Sequence, residues 1–390
     1  MTMIGGEVAA GFEPVREAFV ENFARHGDIG AAVCVYRDGQ PVVDLWGGIA
    51  DPDTGRPWTR DTLQLVYSAT KGATATAVHL LAQRGELDLD APVATYWPEF
   101  AANGKADIPV RWLLSHQAGL VTLDQPVPLA EALAWHPMVV ALAAQRPVWT
   151  PGTAHGYHGR TWGWLVGEVI RRVSGCTPGR FFADEIAAPL GLDFFIGLPT
   201  SERDRVSRMV HSKPDVDLTT LPPELIPEEL RDQVAAWRDP NSFSNRAYTV
   251  TDPAAVDFNA PEVQAAELPA SNGIGTARSL ARMYAALIGE VDGIRQLAPE
   301  TLTLATKEQA AGMDQVLVAP SRFSSGYQLP TEDNPMSGPN AFGHNGRGGS
   351  LGFADPELGI AFSYAMNHII SGPVDVRAAS LVDAVRRSLT

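Results

Sequence analysis

Residues 66–81 read Val66-Tyr67-Ser68-Ala69-Thr70-Lys71-Gly72-Ala73-Thr74-Ala75-Thr76-Ala77-Val78-His79-Leu80-Leu81. Residues three apart on a helix share a face, so Ser68 and Lys71 would lie side by side. A lysine beside an apolar helical run is costly to bury unless it has a role, and burial lowers its pKa toward a value suited to a base. The stretch therefore predicts a nucleophile and its base.

Lysine is scarce in this chain, which makes the pairing more informative. The four lysines are Lys71, Lys105, Lys213 and Lys307. Only Lys71 has a serine three positions before it. Without further features, Ser68 could still be a helix N-cap with an exposed lysine one turn later.

The composition is that of an ordinary globular protein with a large core. The chain has 390 residues, 45% of them hydrophobic and 19% charged. A net charge of −15 argues against nucleic acid or an anionic membrane as the main partner. Residues 1–14 show no signal peptide, and no window reaches a transmembrane length, so we expect a cytoplasmic enzyme without a membrane partner.

Neither the cysteines nor the histidines predict a metal site. Cys34 lies in an apolar strand-like run, which is typical of a buried, inert thiol. His155 and His158 are three apart, but the glycines around them favour a loop, and no Cys or His spacing resembles a zinc site. We expect no metal and no cofactor.

Hydrophobic periodicity outlines the elements, and their order suggests the domains. A hairpin is predicted in residues 30–49, with Asp38-Gly39 as its turn. The predicted helices are residues 14–26, 68–84, a short one within 109–120 that ends at Ala118-Gly119, 129–145 with a break near Pro137, 161–173, 178–190, 276–289 and 373–389. Residues 342–366 read as two or three antiparallel strands, and residues 204–261 as long loops with short helices. Both ends therefore carry strands, whereas the middle third is α-rich and has no convincing strands.

We therefore predict a sheet domain built from both termini, with a helical domain inserted between them. The expected boundaries are 1–95 together with 275–390 for the sheet domain, and 96–274 for the helical domain. The 36 glycines and 30 prolines indicate many turns and much loop, which suits an enzyme.

Two further segments carry groups that suit a nucleophile. Tyr157 lies on a glycine-rich loop before the strong helix at 161–173, and a phenol whose pKa is lowered by nearby cations can act as a general base. The segment from Gly343 to Gly349 opens a strand, and its glycines would let a substrate approach backbone N–H groups that face a developing oxyanion.

The three features together resemble the serine β-lactamase and penicillin-binding-protein superfamily, and most of all its family VIII carboxylesterase branch. The family pattern is Ser-x-x-Lys, then Tyr-x-Asn, then Lys/His-x-Gly, and the resemblance runs from about residue 28 to 367. Here the motifs stand as Ser68-Ala69-Thr70-Lys71, Tyr157-His158-Gly159 and His344-Asn345-Gly346. Two supporting phrases also look like the family: residues 113–120 and 271–280.

The resemblance implies a β-lactamase-like α+β fold, with an antiparallel sheet flanked by helices and an active site between the sheet domain and the inserted α-helical domain. It implies that Ser68 is acylated and that Lys71 and Tyr157 share its proton and later activate water. The oxyanion hole would be the backbone N–H groups of Ser68 and Arg347, and His344 would occupy the place of the third-motif lysine.

The chain departs from the family pattern at two positions. Gly159 stands where β-lactamases and peptidases place an Asn that holds the acylamide group of the substrate. His344 replaces Lys, a change also found in peptidases. Without the amide clamp, ester cleavage is more credible than β-lactam or peptide turnover.

A competing motif lies near the C-terminus. Gly348-Gly349-Ser350-Leu351-Gly352 fits the Gly-x-Ser-x-Gly nucleophile elbow of α/β-hydrolases. That elbow needs a helix after the serine, yet the following residues alternate like a hairpin, and His368 is too near in sequence to complete a triad. We interpret Ser350 as a residue of a glycine-rich strand.

We therefore predict a serine carboxylesterase that hydrolyses small-molecule esters with short acyl chains. Three alternatives stay open: a β-lactamase or D-amino-acid peptidase or amidase of the same fold, an acyltransferase, and a non-catalytic binding module. Oligomeric state and natural substrate are not evident in the residues. The candidate pocket residues are Leu120, Val121, Trp135, Trp149 and Phe243.

Overall fold

The computed structural model describes residues 2–212, 218–332, 334, 336–370 and 375–390. Its strands are β1 (Ile4–Val8), β2 (Gly30–Arg37), β3 (Gln40–Asp51), β4 (Arg56–Pro57), β5 (Gln64–Leu65), β6 (Val127–Pro128), β7 (Phe194–Ile196), β8 (Val210–His211), β9 (Thr251–Asp252), β10 (Gly273–Gly275), β11 (Ala310–Met313), β12 (Pro320–Phe323), β13 (Phe342–Asn345), β14 (Leu351–Asp355), β15 (Ile360–Met366) and β16 (His368–Ile369).

The α-helices of the described ranges alternate with these strands. They are α1 (Glu13–Arg25), α2 (Thr70–Gln83), α3 (Val110–Leu114), α4 (Leu129–Leu133), α5 (His136–Ala144), α6 (Thr161–Ser174), α7 (Pro178–Phe182), α8 (Ala188–Leu190), α9 (Arg231–Arg238), α10 (Phe243–Arg246), α11 (Pro261–Ala265), α12 (Ala277–Ile288), α13 (Pro299–Thr306) and α14 (Arg377–Ser388).

The main sheet joins the two ends of the chain. Its strand order is β1-β3-β2-β15-β14-β13, and β4 pairs with β3. All of these pairs are antiparallel, and β15 pairs with β2 along seven residues. The turn between β2 and β3 has positive φ at both Asp38 (48°) and Gly39 (78°), the backbone that a two-residue hairpin needs. The predicted antiparallel sheet and its hairpin are confirmed.

Helices cover both faces of this sheet because its side chains alternate between two apolar layers. Val33 and Val35 belong to the cluster that contains side chains of α1 and α14. Cys34 and Tyr36 belong to the cluster that contains side chains of α12. Burial raises the pKa of the Cys34 thiol well above its ordinary value, which agrees with the inert thiol expected from the sequence.

Helix α2 runs through the middle of the larger cluster. Every residue from Thr70 to Leu81 is buried, and the helix contacts α6 and α7. Its small residues let neighbours approach closely, since a Cβ at Gly72 would collide with the hydroxyl of Tyr284. The helix predicted for residues 68–84 is confirmed, although its first turn, Tyr67–Ala69, is a 3₁₀ turn.

Three sequence predictions differ from the structure. The helix predicted within residues 109–120 ends at Leu114, because His116 adopts a left-handed conformation with φ 64°. The middle third does contain strands, but each has only two or three residues, too few to show an alternating pattern. The last helix begins at Arg377, and the predicted start at Pro373 lies outside the described residues.

Within the described ranges, no helix combines the length and the apolar character required to cross a membrane.

Candidate active site

Ser68 lies on a strained turn at the start of α2. The preceding residue, Tyr67, has φ 47°, which is uncommon for a residue other than glycine. The hydroxyl of Thr70 holds this turn, since it donates to the Tyr67 carbonyl and accepts from the N–H of Gly273 at 2.7 Å. Ser68 is the partly exposed residue of an otherwise buried segment, at a helix N-terminus that favours developing negative charge.

Lys71 is fully buried one turn along the helix, with its amine facing Ser68. Its Nζ lies 3.3 Å from Ser68 Oγ, 3.0 Å from the carbonyl oxygen of Gly159 and 3.1 Å from that of Ala270. Burial lowers the pKa of Lys71 well below its ordinary value. A neutral amine has two N–H groups for the two carbonyls and one lone pair for the Ser68 hydroxyl. The arrangement therefore suits an amine that accepts the serine proton.

Tyr157 lies against the same two residues, as the sequence predicted. Its ring centroid is 4.8 Å from Lys71 Nζ, and the ring stacks on Phe323 with 6.0 Å between centroids. Burial raises the pKa of Tyr157 well above its ordinary value, nearby Tyr248 raises it further, and a hydrogen bond with Ser68 opposes both. The expectation of a pKa lowered by cations is wrong, because the adjacent lysine is itself disfavoured as a cation. Tyr157 at rest is a neutral phenol.

Asp314 fixes the backbone of the Tyr157 loop. Its fully buried carboxylate accepts from the N–H groups of Tyr157 at 3.0 Å and Leu317 at 2.9 Å. Its second oxygen accepts from the hydroxyl of Ser321 at 3.0 Å, and that hydroxyl lies 2.9 Å from Nε2 of His155. This network connects the Tyr157 loop to the strand pair β11–β12.

The third motif lies partly on the cleft and partly behind it. Asn345, Gly346 and Arg347 line the cleft, whereas the His344 ring is buried, with its centroid 5.9 Å from that of Tyr157. The pKa of His344 is lowered to about 3, mainly by burial. Its Nδ1 lies 2.6 Å from the Asn345 carbonyl, and its Nε2 has no partner among the described residues. His344 is therefore neutral, unlike the lysine whose place it was expected to take.

Ser350 joins the third motif to the segment before Ser68. Its hydroxyl donates to the carbonyl of Val66 at 2.8 Å, and its carbonyl accepts from the N–H of Gly346 at 2.6 Å. It is fully buried, and strand β14 follows it where a nucleophile elbow would need a helix. Ser350 is therefore a structural residue, as its sequence context indicated.

Two backbone N–H groups near the contact between Ser350 and Val66 are available for a substrate. Neither the N–H of Ser68 nor that of Arg347 donates to another residue in the described ranges. Their availability is what an oxyanion hole requires.

A cleft of about 710 Å³ opens above Ser68. The residues that line it are Tyr67, Ser68, Tyr157, Gly159, Arg160, Trp237, Asn245, Tyr248, Thr249, Ala254, Ala255, Phe258, Ser271, Leu317, Phe323, Gln328, Asn345, Gly346 and Arg347. None of the five pocket candidates from the sequence is among them. Leu120 and Val121 are fully buried in the core, and Trp135 lines a separate cavity.

An aromatic ring occupies the space beside Gly159. A Cβ at Gly159 would lie 3.0 Å from Cε1 and Cζ of Tyr248, tighter than ordinary van der Waals contact. An Asn side chain at this position therefore has no room unless Tyr248 moves.

Sequence reasoning missed Tyr248 and Arg160. Tyr248 belongs to the weakly periodic stretch 204–261, where no local pattern marks a residue that reaches the cleft. Arg160 directly follows the second motif, and this adjacency was the available signal.

Comparisons with known proteins agree with this geometry. The β-lactamase family model matches residues 15–386. The esterase/β-lactamase LipL of Mycobacterium tuberculosis is 40% identical over 371 residues, which cover 92% of this chain and 82% of LipL. The crystal structure of a family VIII carboxylesterase has a TM-score of 0.86 and 38% identity, and covers 99% of this chain and 100% of its own.

A penicillin-binding-protein homologue from Caulobacter crescentus is also similar. It has a TM-score of 0.83 and 36% identity, and covers 99% of this chain and 100% of its own. Because the family model spans most of the sequence and these relatives match over nearly its full length, the chain belongs to the β-lactamase family and is a serine hydrolase of the β-lactamase fold.

Proposed function

We propose that the protein is a carboxylesterase that hydrolyses short-chain carboxylic esters through an acyl-enzyme on Ser68. The observation that carries this proposal is the buried Lys71 amine, which has two carbonyl acceptors for its N–H groups and Ser68 Oγ at 3.3 Å. The family VIII carboxylesterase at 38% identity and the esterase/β-lactamase LipL at 40% support the ester specificity.

In the acylation step, Lys71 accepts the hydroxyl proton while Ser68 Oγ attacks the ester carbonyl carbon. The carbonyl oxygen becomes an oxyanion that accepts from the N–H groups of Ser68 and Arg347. When the intermediate collapses, the C–O bond to the alcohol breaks and the leaving oxygen takes a proton. Tyr157, which hydrogen-bonds to Ser68, relays that proton from Lys71.

Deacylation runs the same groups in reverse. Water adds to the acyl carbon and gives a proton to the neutral Lys71 amine, directly or through Tyr157. The second tetrahedral intermediate then releases the carboxylic acid and returns the proton to Ser68 Oγ.

The preference for esters over amides follows from the space beside Gly159. The amide clamp of the family's β-lactamases and peptidases is missing, and the Tyr248 ring takes its place. An ester needs less activation than an amide, because its alcohol is a better leaving group. For the proposed short-chain preference, we expect an acyl-chain series of para-nitrophenyl esters to show its highest kcat/KM between acetate and butyrate.

β-Lactam hydrolysis is the second candidate, since LipL is named both esterase and β-lactamase. A para-nitrophenyl ester and a chromogenic cephalosporin, tested on the same preparation and on S68A, distinguish the two. The proposal requires a kcat/KM for the ester well above that for the cephalosporin. Comparable values would contradict the specificity argument, and ester turnover that persists in S68A would contradict the mechanism.

The proposed domain arrangement places this cleft between residues 96–274 and the sheet domain of 1–95 with 275–390. Its lining supports that division, because Tyr157 and Tyr248 come from the first part, whereas Ser68 and Arg347 come from the second.

A further inference from the structure

A fully buried arginine lies behind the turn that carries the Arg347 N–H. Arg377 is the first residue of α14, and its side chain has no exposed surface. Its Nη2 donates to the carbonyl oxygen of Gly348 at 3.0 Å and to that of His368 at 2.9 Å. Because Gly348 directly follows Arg347, the guanidinium group is bonded to the turn itself.

The turn at residues 346–349 has a defined conformation and close neighbours on two sides. Its last N–H donates to its first carbonyl at 3.2 Å, and Gly348 has φ 82°, as the third residue of a type II turn requires. Arg347 is the second residue, so its N–H takes no part in the bond that closes the turn. A Cβ on the first glycine would collide with the carbonyl oxygen of Val66, and one on the last glycine with Oδ2 of Asp375.

Two carboxylates fix the orientation of the Arg377 guanidinium group. Asp375 accepts from Nε at 2.9 Å and from Nη2 at 2.6 Å, a bidentate contact. Asp28, whose side chain is also fully buried, accepts from Nη1 at 2.8 Å and from the hydroxyl of Tyr364 at 2.7 Å. Each nitrogen of the guanidinium group therefore has an acceptor, and the group that binds the Gly348 carbonyl is held in one position.

These contacts matter for the Arg347 N–H, because an oxyanion-hole donor must lie about 2.7–3.1 Å from the developing oxyanion. Ser350 connects the turn to Val66, on the side of the nucleophile. Arg377 connects the turn to α14. Loss of this second connection leaves the Gly348 carbonyl without its donor, and the turn must move to satisfy it.

We propose that Arg377 is a positioning residue for the oxyanion hole. Its bond to the Gly348 carbonyl holds the turn so that the Arg347 N–H is aimed at the oxyanion that forms at Ser68. This inference rests on the proposed function, since it assigns a further role in the same reaction. Arg377 is not among the residues that line the cleft, so it acts on the transition state through the backbone of Arg347.

Replacement of Arg377 by methionine tests the inference. R377M keeps an unbranched side chain but has no donor for the Gly348 carbonyl. An interaction made only in the transition state affects kcat, whereas uniform binding affects KM. For a para-nitrophenyl ester we expect kcat per folded molecule to fall about 10- to 100-fold while KM stays within about threefold of wild type, since a displaced donor costs less than a removed one.

A second variant gives the same measurement if R377M does not fold. R377M leaves the Asp28 carboxylate buried without its cation, which is strongly destabilising, whereas R377M/D28N removes the charge of both partners. The double variant also has no donor for the Gly348 carbonyl. It should therefore show the same fall in kcat.

Two controls distinguish positioning from a general loss of stability. R386M is the same substitution on α14, where Arg386 donates to the carbonyls of Ser337 at 2.8 Å and Met336, neither of which belongs to the turn. E168Q removes the charge of a fully buried carboxylate that pairs with two arginines of α6. Both should leave the kcat of the folded protein unchanged, and E168Q should lower the melting temperature. The inference is wrong if folded R377M keeps kcat within about threefold of wild type, or if a control loses as much kcat as R377M.

The rate of phosphonate labelling separates this inference from the proposed function. In that reaction Ser68 Oγ displaces the leaving group at phosphorus and the phosphoryl oxygen takes the place of the oxyanion, so no ester turnover is needed. We expect the second-order rate constant for labelling to fall about 10- to 100-fold in R377M and R377M/D28N, and to stay unchanged in R386M. If the wild-type protein is labelled at Ser68 but hydrolyses no ester, the esterase proposal alone is overturned. Equal labelling rates in the wild-type protein and the Arg377 variants overturn the positioning role.

Discussion

Replacement of Lys71 separates a catalytic base from a buried structural lysine. In K71M the two carbonyls keep their positions but Ser68 loses its proton acceptor. Loss of a positioned general base lowers rates about 10²- to 10⁴-fold. We expect kcat/KM for a para-nitrophenyl ester to fall by that factor, or about 2.7–5.4 kcal/mol of transition-state stabilisation. K71R should be as impaired, because its guanidinium stays charged and offers no lone pair.

Lys105 supplies a matched control within the same chain. It is also fully buried, but its Nζ donates to three carbonyls, those of Ala102 at 2.7 Å, Ala143 at 2.9 Å and Gln145 at 2.6 Å. Three acceptors suit a charged ammonium, and burial lowers the pKa of Lys105 only to about 8. K105M should lower the free energy of unfolding by about 1–3 kcal/mol for each carbonyl left unpaired, without a change in the kcat/KM of the folded fraction.

The pH dependence of stability tests the protonation state of Lys71 independently of activity. The folded-state pKa of Lys71 lies below its unfolded value of about 10.4, so the unfolded chain binds more protons between the two values. Stability of the wild-type protein therefore rises with pH in that window, and K71M should remove this contribution to the slope. Lys71 is not the catalytic base if K71M keeps kcat/KM within tenfold of wild type, or if K105M loses as much activity as K71M.

Two other predictions concern the groups around Ser68. Because the neutral Lys71 amine is the active form, the pH profile of wild-type kcat/KM should show one ascending limb. Y157F should lower the rate about 100-fold or more, while the ascending limb stays at the same pH. If the limb disappears from the profile of Y157F, Tyr157 is the titrating base. G159N should be destabilised by about 1–3 kcal/mol because its Cβ meets Tyr248, and G159N/Y248A should recover most of that loss relative to Y248A. If the changes in melting temperature of G159N and Y248A simply add up in the double variant, the Tyr248 ring does not occupy the space that an Asn side chain at position 159 needs.

Local patterns were sufficient to predict the sheet, the main helices and the three motifs. The Ser68–Lys71 pair follows from helical spacing, and the hairpin follows from alternation around Asp38-Gly39, because both depend on neighbours in sequence. The end of the helix at Leu114 was missed, since it depends on the left-handed conformation of His116. Sequence spacing does not show such a conformation.

The properties that define the site depend on contacts between distant segments. The pKa of Tyr157 is raised because the ring is buried with Tyr248 nearby, whereas the sequence showed only the prospect of nearby cations. Tyr248 reaches the cleft from a segment whose local sequence shows no function. The carbonyls that bind Lys71 come from Gly159 and Ala270, which are 88 and 199 residues away.

The identity of the nucleophile is the most direct test of the account. An active-site phosphonate should label the purified protein once, and peptide mass spectrometry should place the label on Ser68. S68A should take no label and hydrolyse no ester, while its melting temperature shows that it is folded. A label on Ser350, or a labelled protein without modification at Ser68, would contradict the account.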